Sequence, residues 1–313
     1  MGDTDTDDEG VLDPWVADWM AANPERATPF ADLVPELLEL ARGDYGPQLT
    51  QEIDHVEDES VDGIPVRVYR DDGEPTGLVV YFHGGGHVIG SIGIMDGVAR
   101  EIAHASGAVV VSVAYRLAPE DPYPAAVDDC TAVTSWALDQ GARFGLPTGA
   151  VAVAGESAGG TMAAAVSLRL RDAGGAAPVG QVLIYPAVAG SKVYPSREEF
   201  SGLVISLEAG EAYWAAYSGG RDLDDDPYAV PLSAPSLAGL PPALVILGGC
   251  DMLRDEGRAY AGRMRDDGVD VEEVCYPGQP HGFVNFGFPA AGPAFQRTGE
   301  WLRRTFADAR ARG

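Results

Sequence analysis

The stretch Gly155-Glu156-Ser157-Ala158-Gly159 sets a serine between glycines, directly after the apolar run 151–154 and directly before a helical stretch beginning at Ala158. A strand, a sharp turn and a helix in that order expose a serine hydroxyl at the turn. The flanking glycines keep side chains out of the neighbouring strand and helix. A serine hydroxyl is a weak nucleophile until a base takes its proton. The chemistry to look for is therefore attack on a carbonyl carbon, with a histidine as base and a carboxylate behind it.

Five histidines are available: His55, His83, His87, His104 and His281. His55 sits in an acidic stretch and His104 on a helical one. His83 and His87 flank the glycines of His83-Gly84-Gly85-Gly86, beside any oxyanion rather than behind the serine. His281, in Gly278-Gln279-Pro280-His281-Gly282-Phe283, follows the strand-like run 271–275 at the carboxyl edge of the sheet, where the serine turn also opens; it is the base by elimination and by position. The acid should follow another late strand, between serine and histidine in chain order. Asp251, reached from the run 244–247 through Gly248-Gly249-Cys250, is favoured, with Asp255 as the alternative, although an acid opening a helix is also a routine cap. The glycine run after 78–82 lets backbone amides approach a ligand oxygen. The amides of Gly85 and Gly86, with that of Ala158, are the expected oxyanion donors, and Gly84 serves the turn. Each well-aimed donor lowers the barrier by roughly 2.7–4 kcal/mol. No Gly-Lys-Ser/Thr element follows, so a phosphate cradle is disfavoured.

The elements that must hold these groups are legible as texture. Short apolar runs at 65–69, 78–82, 109–114, 151–154, 182–185, 244–247 and 271–275 alternate with helical stretches at 95–106, 126–140, 158–173 and 255–267. That alternation predicts an α/β fold with a mostly parallel central sheet covered by helices on both faces. The first ten residues, rich in Asp and Glu, are expected to be disordered. Helical spacing follows at 14–20 and 30–42, through Trp15, Trp19, Leu33, Leu37 and Leu40. Residues 187–235 break the strand–helix rhythm and scatter Tyr194, Phe200, Leu203, Tyr213, Trp214 and Tyr217 through polar sequence; the acidic run 222–226 reads as a solvated loop. The expected organisation is a helical cap drawn from 1–50 and 187–235 over a catalytic domain of 51–186 and 236–313.

The chain carries 48 acidic against 21 basic residues, a formal charge of -27, and its only lysine is Lys192. Such a surface repels nucleic acid and anionic membranes. Two like charges ~10 Å apart in water repel by about 0.4 kcal/mol, and many such pairs together rival a stability of roughly 5–15 kcal/mol. Molar salt shortens the screening length from ~10 Å to ~3 Å. A salt-requiring, halophilic cytoplasmic protein is therefore expected. No apolar stretch is long enough for a membrane span, and the acidic start is unlike a signal peptide. Cys130, Cys250 and Cys275, odd in number and widely spaced, suggest neither a disulfide framework nor a metal knuckle.

With these residues in place, the sequence resembles the hormone-sensitive-lipase-like esterases, α/β-hydrolases marked by an HGGG loop and a GDSAGG turn. The resemblance runs through 61–286 and includes Tyr115-Arg116-Leu117-Ala118-Pro119-Glu120, Asp251-Met252-Leu253-Arg254-Asp255-Glu256-Gly257 and His281-Gly282-Phe283. It implies an α/β-hydrolase fold, a Ser157, Asp251 and His281 triad, and oxyanion donors Gly85, Gly86 and Ala158. His83, Gly84 and Glu156 would be supporting groups, and His87, Trp214, Tyr217 and Phe283 would face the substrate. It further implies hydrolysis of small esters of short to medium acyl length without cofactor or metal, and, by analogy, pairing of two copies through 294–306. Amidase or arylformamidase activity uses the same groups. A binding protein on the same fold, as in the similar plant gibberellin receptors, would lack the triad histidine, which is present here. Three residues depart from the pattern: Glu156 stands where Asp is common and is expected to brace the turn, His87 where an aromatic is common, and Met252 where proline is common.

Overall fold

Five strands that are apolar on both faces can be stable only between two layers of helices. In the computed structural model, which describes residues 9–24, 35–42, 51–146 and 150–312, this is the arrangement. An eight-stranded sheet is built from β1 (His55–Val61), β2 (Ile64–Arg70), β3 (Leu78–Phe82), β4 (Val109–Val113), β5 (Val151–Glu156), β6 (Gly180–Ile184), β7 (Ala243–Cys250) and β8 (Val271–Pro280). Its order is β1-β2-β4-β3-β5-β6-β7-β8. β4 through β8 run parallel, while β2 lies antiparallel to β4 and β1 antiparallel to β2.

The period-two alternation of strand side chains divides the core into two layers. Leu78, Val80 and Phe82 of β3, with Val151 and Val153 of β5, face α4 (Ala125–Asp139), α5 (Ala158–Ala173) and α8 (Arg254–Asp266). Val79 and Tyr81, with Ala152 and Ala154, face α3 (Asp96–Ser106) and α9 (Ala291–Arg312), which contribute Val98, Ile102, Phe295 and Leu302. Three free cysteines are spread through the fold: Cys130 and Cys250 are buried and Cys275 is partly so.

The anticipated runs become strands or helices with ends shifted by a few residues, and the differences have physical reasons. β1, sequence HVEDESV, has no apolar run because it is an edge strand with a wetted face; His55 on it bonds Asp72 at 2.8 Å. β8 extends beyond residue 275 to Pro280, carrying the chain to His281. The acidic run 222–226 is not merely solvated: Asp226 accepts from the Tyr123 hydroxyl at 2.8 Å, and Asp224 accepts from the Ser191 amide at 3.1 Å.

Outside the sheet lie α1 (Pro14–Ala22), α2 (Pro35–Arg42), α6 (Pro195–Glu199) and α7 (Leu207–Ser218). Segment 187–235 holds no strand. Of the expected amino-terminal features, residues 1–8 and 30–34, including Leu33, and the side chains of Leu37 and Leu40 lie outside the described residues. The segment before α1 crosses the loops at the sheet's carboxyl edge: Gly278 N donates to the Glu9 carbonyl at 3.2 Å, and Asp13 N donates to the Gly278 carbonyl at 3.0 Å. α2 holds the glycine loop, with Arg42 donating to the Val88 and Ala118 carbonyls at 2.8 and 2.7 Å.

Candidate active site

β5 ends at Glu156 and α5 starts at Ala158, so one residue makes the whole turn. Ser157 does so at φ 55, ψ -121. A non-glycine residue in this region costs on the order of 1–3 kcal/mol and persists only where its surroundings over-determine it. Here its amide donates to the Ile184 carbonyl at 2.9 Å, and its carbonyl accepts from Thr161 and Ala187. A side chain on Gly155 would collide with the Gly159 carbonyl, and one on Gly159 with the Phe82 carbonyl of β3. The glycines therefore let α5 pack against the strands tightly enough to present Ser157.

His281 follows β8 directly. Its Nε2 lies 2.9 Å from Ser157 Oγ, and its Nδ1 lies 3.1 and 3.0 Å from the two carboxylate oxygens of Asp251. Facing a carboxylate, Nδ1 must carry the proton, which leaves Nε2 to accept from the serine hydroxyl. An irregularity in the β7–β8 pairing between Gly248 and Cys250 precedes Asp251, whose Oδ1 also accepts from Leu253 N at 2.7 Å. Burial disfavours the imidazolium of His281, but the buried Asp251 carboxylate outweighs it and the histidine's pKa stands above its ordinary value. Asp255, the alternative acid, is elsewhere, accepting from Ser196 N at 3.0 Å and pairing with Arg254.

The glycine loop lies across from this line. The Gly84 amide is spent on the Glu156 carboxylate, which braces the loop against the serine turn. The amides of Gly85, Gly86 and Ala158 have no partner among the described residues, and Gly86 and Ala158 line the same cavity as Ser157. Glu156 is 1% exposed; burial pushes its pKa up to about 7 against the pull of the Gly84 amide. His83 stacks on Tyr115 with ring centres 4.4 Å apart, and burial takes its pKa down to about 4. Its Nδ1 lies 2.7 Å from the Gly84 carbonyl oxygen, and it is not among the residues lining the cavity with Ser157.

Ser157 and His281 open on a cavity of about 190 Å³. His87 and Trp214 line it, as expected, but two of the residues expected there do not. Tyr217 is 1% exposed and stacks behind His87 at 3.9 Å. Phe283 is fully buried against Tyr185 and Tyr276, because it sits past the tight turn at Gly282 and faces the core. The cavity wall also contains Arg197, Ile205, Leu207, Tyr213, Met252 and Leu253, none singled out from sequence as pocket residues. Met252 and Leu253 were traceable, since they directly follow the acid. The rest are set by how α6 and α7 fold back, for which the sequence held no local signal. Trp15 and Trp19 pack on Phe288, and Trp19 also on Phe286. Among the described residues no His, Cys, Asp and Glu side chains gather in a set suited to a metal ion.

The family model described as the alpha/beta hydrolase fold matches residues 79–285. The chain belongs to this family. It is 37% identical over 310 residues to esterase LipI of Mycobacterium tuberculosis, covering 94% of this chain and 95% of that one. It is 39% identical over 281 residues to carboxylesterase NlhH of the same species, covering 86% and 85%. Among solved structures it resembles a hyperthermophilic esterase from the archaeon Pyrobaculum calidifontis, with TM-score 0.84, 37% identity and coverage of 94% and 98%.

Proposed function

We propose that the chain hydrolyses carboxylic esters of short to medium acyl length, with Ser157 as nucleophile, His281 as base and then acid, and Asp251 orienting and steadying the imidazole. The observation that carries this reading is the unbroken line from Asp251 through His281 to Ser157 at the mouth of a cavity. His281 takes the Ser157 proton as Oγ attacks the ester carbonyl. The free amides of Gly85, Gly86 and Ala158 receive the oxyanion. The imidazolium then protonates the leaving alcohol, and water repeats the sequence on the acyl-enzyme to release the acid. The printed names of the relatives, esterase and carboxylesterase, support the class. In this reading α1, α2 and segment 187–235 are the cap, and Trp214 and Tyr213 on α7 bound the acyl group.

The reading includes adaptation to salt, supported by the formal charge of -27 and the long-range repulsion it implies. No helix among the described residues is long and apolar enough to cross a membrane, and we take the enzyme to work in the cytoplasm. A p-nitrophenyl ester series from acetate to laurate, at low and at molar potassium chloride, tests both parts with wild type and Ser157→Ala. Short-chain hydrolysis that vanishes in the variant and a melting temperature that climbs with salt are expected. A folded protein without hydrolysis at any salt contradicts the esterase; a flat melting temperature contradicts the adaptation.

A further inference from the structure

Segment 9–13, ahead of α1, touches both of the loops that carry the base and its partner. Gly278, just before His281, donates its amide to the Glu9 carbonyl at 3.2 Å, and its own carbonyl accepts from the Asp13 amide at 3.0 Å. The same Glu9 carbonyl lies against Gly249, just before Asp251, where a side chain would come within 2.1 Å of it. A side chain on Gly278 would in turn meet Asp13 N at 2.7 Å. Leu12 packs against the apolar cluster that contains Cys250 and Met252, and against the core layer that contains Phe283 and Val284. The residues on either side of Asp251 and those that follow His281 therefore share one apolar anchor.

These contacts fall where the register between β7 and β8 changes. Gly248 faces Tyr276, but Cys250 faces Pro280 instead of Gly278, so β8 carries extra residues at this point. An irregularity of this kind takes backbone groups out of the ladder. Gly278 is buried there, and segment 9–13 satisfies both its amide and its carbonyl. Buried backbone groups need partners, so the irregular register and the segment support each other. Beyond it, Asp251 and His281 come within 3.0 Å. The segment is tied down by the Glu9 carboxylate, which pairs with Arg258 of α8 at 2.5 Å. Trp15 and Trp19 of α1 then pack on Phe286 and Phe288, past His281. None of residues 9–13 lines the cavity, and among the described residues none bonds to the serine turn or the glycine loop.

We infer that segment 9–13 is a positioning strap for the reaction: it holds the irregular β7–β8 register and through it the alignment of Asp251 with His281, with Glu9–Arg258 as its latch. A strap that acts through the acid and the base governs the rate of the chemical step and leaves substrate binding to the cavity wall. This inference rests on the esterase reading above.

The test is kcat and KM for p-nitrophenyl butyrate, measured on the full chain well below the melting temperature, in wild type and in the Asp251→Asn background. Leu12→Asp, which unseats the strap, should lower kcat by about tenfold or more while KM stays within about twofold. Leu12→Met keeps the apolar anchor and should keep kcat within about twofold of wild type. Arg258→Gln removes only the latch and should lower kcat by at most about fivefold. In Asp251→Asn the aligned pair is already broken, so Leu12→Asp should there cost less than about threefold. Should Leu12→Asp fail to fold, Arg258→Gln carries the same comparison between the two backgrounds. An unchanged kcat in the folded strap variant, a loss confined to KM, or an equal loss in both backgrounds overturns the strap and leaves the esterase standing. Failure of folded wild type to hydrolyse the ester overturns both.

Discussion

The two walls of the cavity around Ser157 are built by different means. One is made of strand ends and held largely by backbone: the Ser157 amide on the Ile184 carbonyl, the Gly84 amide on Glu156, and glycines 155 and 159 admitting the helix against the sheet. The other is made of side chains delivered by α7, the turn before it and the loop after Asp251, among them Ile205, Tyr213, Trp214 and Met252. Backbone geometry tolerates almost no substitution, while an apolar wall can be re-papered at the cost of a methylene or two. In the proposed reading the first wall carries the reaction chemistry and the second bounds the acyl group, so the two should respond differently to substitution.

The strongest way to break that division is to remove the nucleophile. Ser157→Ala should lower kcat/KM for p-nitrophenyl butyrate by on the order of 10⁶-fold with little change in melting temperature; activity within tenfold of wild type would place the chemistry elsewhere. Asp251→Asn should cost about 10⁴-fold, because the amide no longer fixes the histidine tautomer. It should also move the acid limb of the pH profile. Protonated His281 cannot accept from Ser157, so activity falls as pH drops through the histidine's pKa, which Asp251 holds above 6.5 in wild type. In the variant the limb should shift to lower pH, and an unmoved limb would mean that Asp251 does not govern His281.

Glu156 sharpens the comparison from the stability side. Its carboxyl pKa is raised from 4.5 to about 7 by burial, so the native state holds this proton more tightly than the unfolded chain. That contribution is full below pH 4.5 and is lost as pH rises through about 7, a swing of roughly 3 kcal/mol. Glu156→Gln keeps an acceptor for the Gly84 amide and cannot ionise. Denaturant unfolding at pH 5 and pH 8 should show wild type losing stability relative to this variant at the higher pH; parallel curves would contradict the assignment. The smallest effect belongs to the second wall: Trp214→Ala should alter butyrate hydrolysis by less than about tenfold and move the acyl-length optimum upward. A hundredfold loss on every chain length would erase the distinction between the walls.

This contrast also explains what could be read from the sequence. The core strands announced themselves because β3, β4, β5 and β6 are apolar on both faces. β1 did not, because an edge strand with a wetted face has no apolar signature, although Asp62-Gly63 between β1 and β2 is a hairpin signal. Ser157, Asp251 and His281 were legible because tight turns after strands demand particular residues at fixed places. Tyr217 and Phe283 were misplaced in the pocket because an aromatic near a site carries no sequence mark for which way it points. The role of Glu156, bound to an amide 72 positions away, depended on sheet order, since β3 and β5 are neighbours in space but not in sequence.

The most direct test of the central claim is covalent labelling with a p-nitrophenyl alkylphosphonate, followed by intact mass and peptide mapping across pH. The account predicts a single phosphonyl adduct on Ser157, with a rate that falls at low pH as His281 becomes protonated and that drops steeply in Asp251→Asn. An adduct on another residue, or none on the folded protein at any pH, would contradict the assignment of Ser157 as a nucleophile activated by His281 and Asp251.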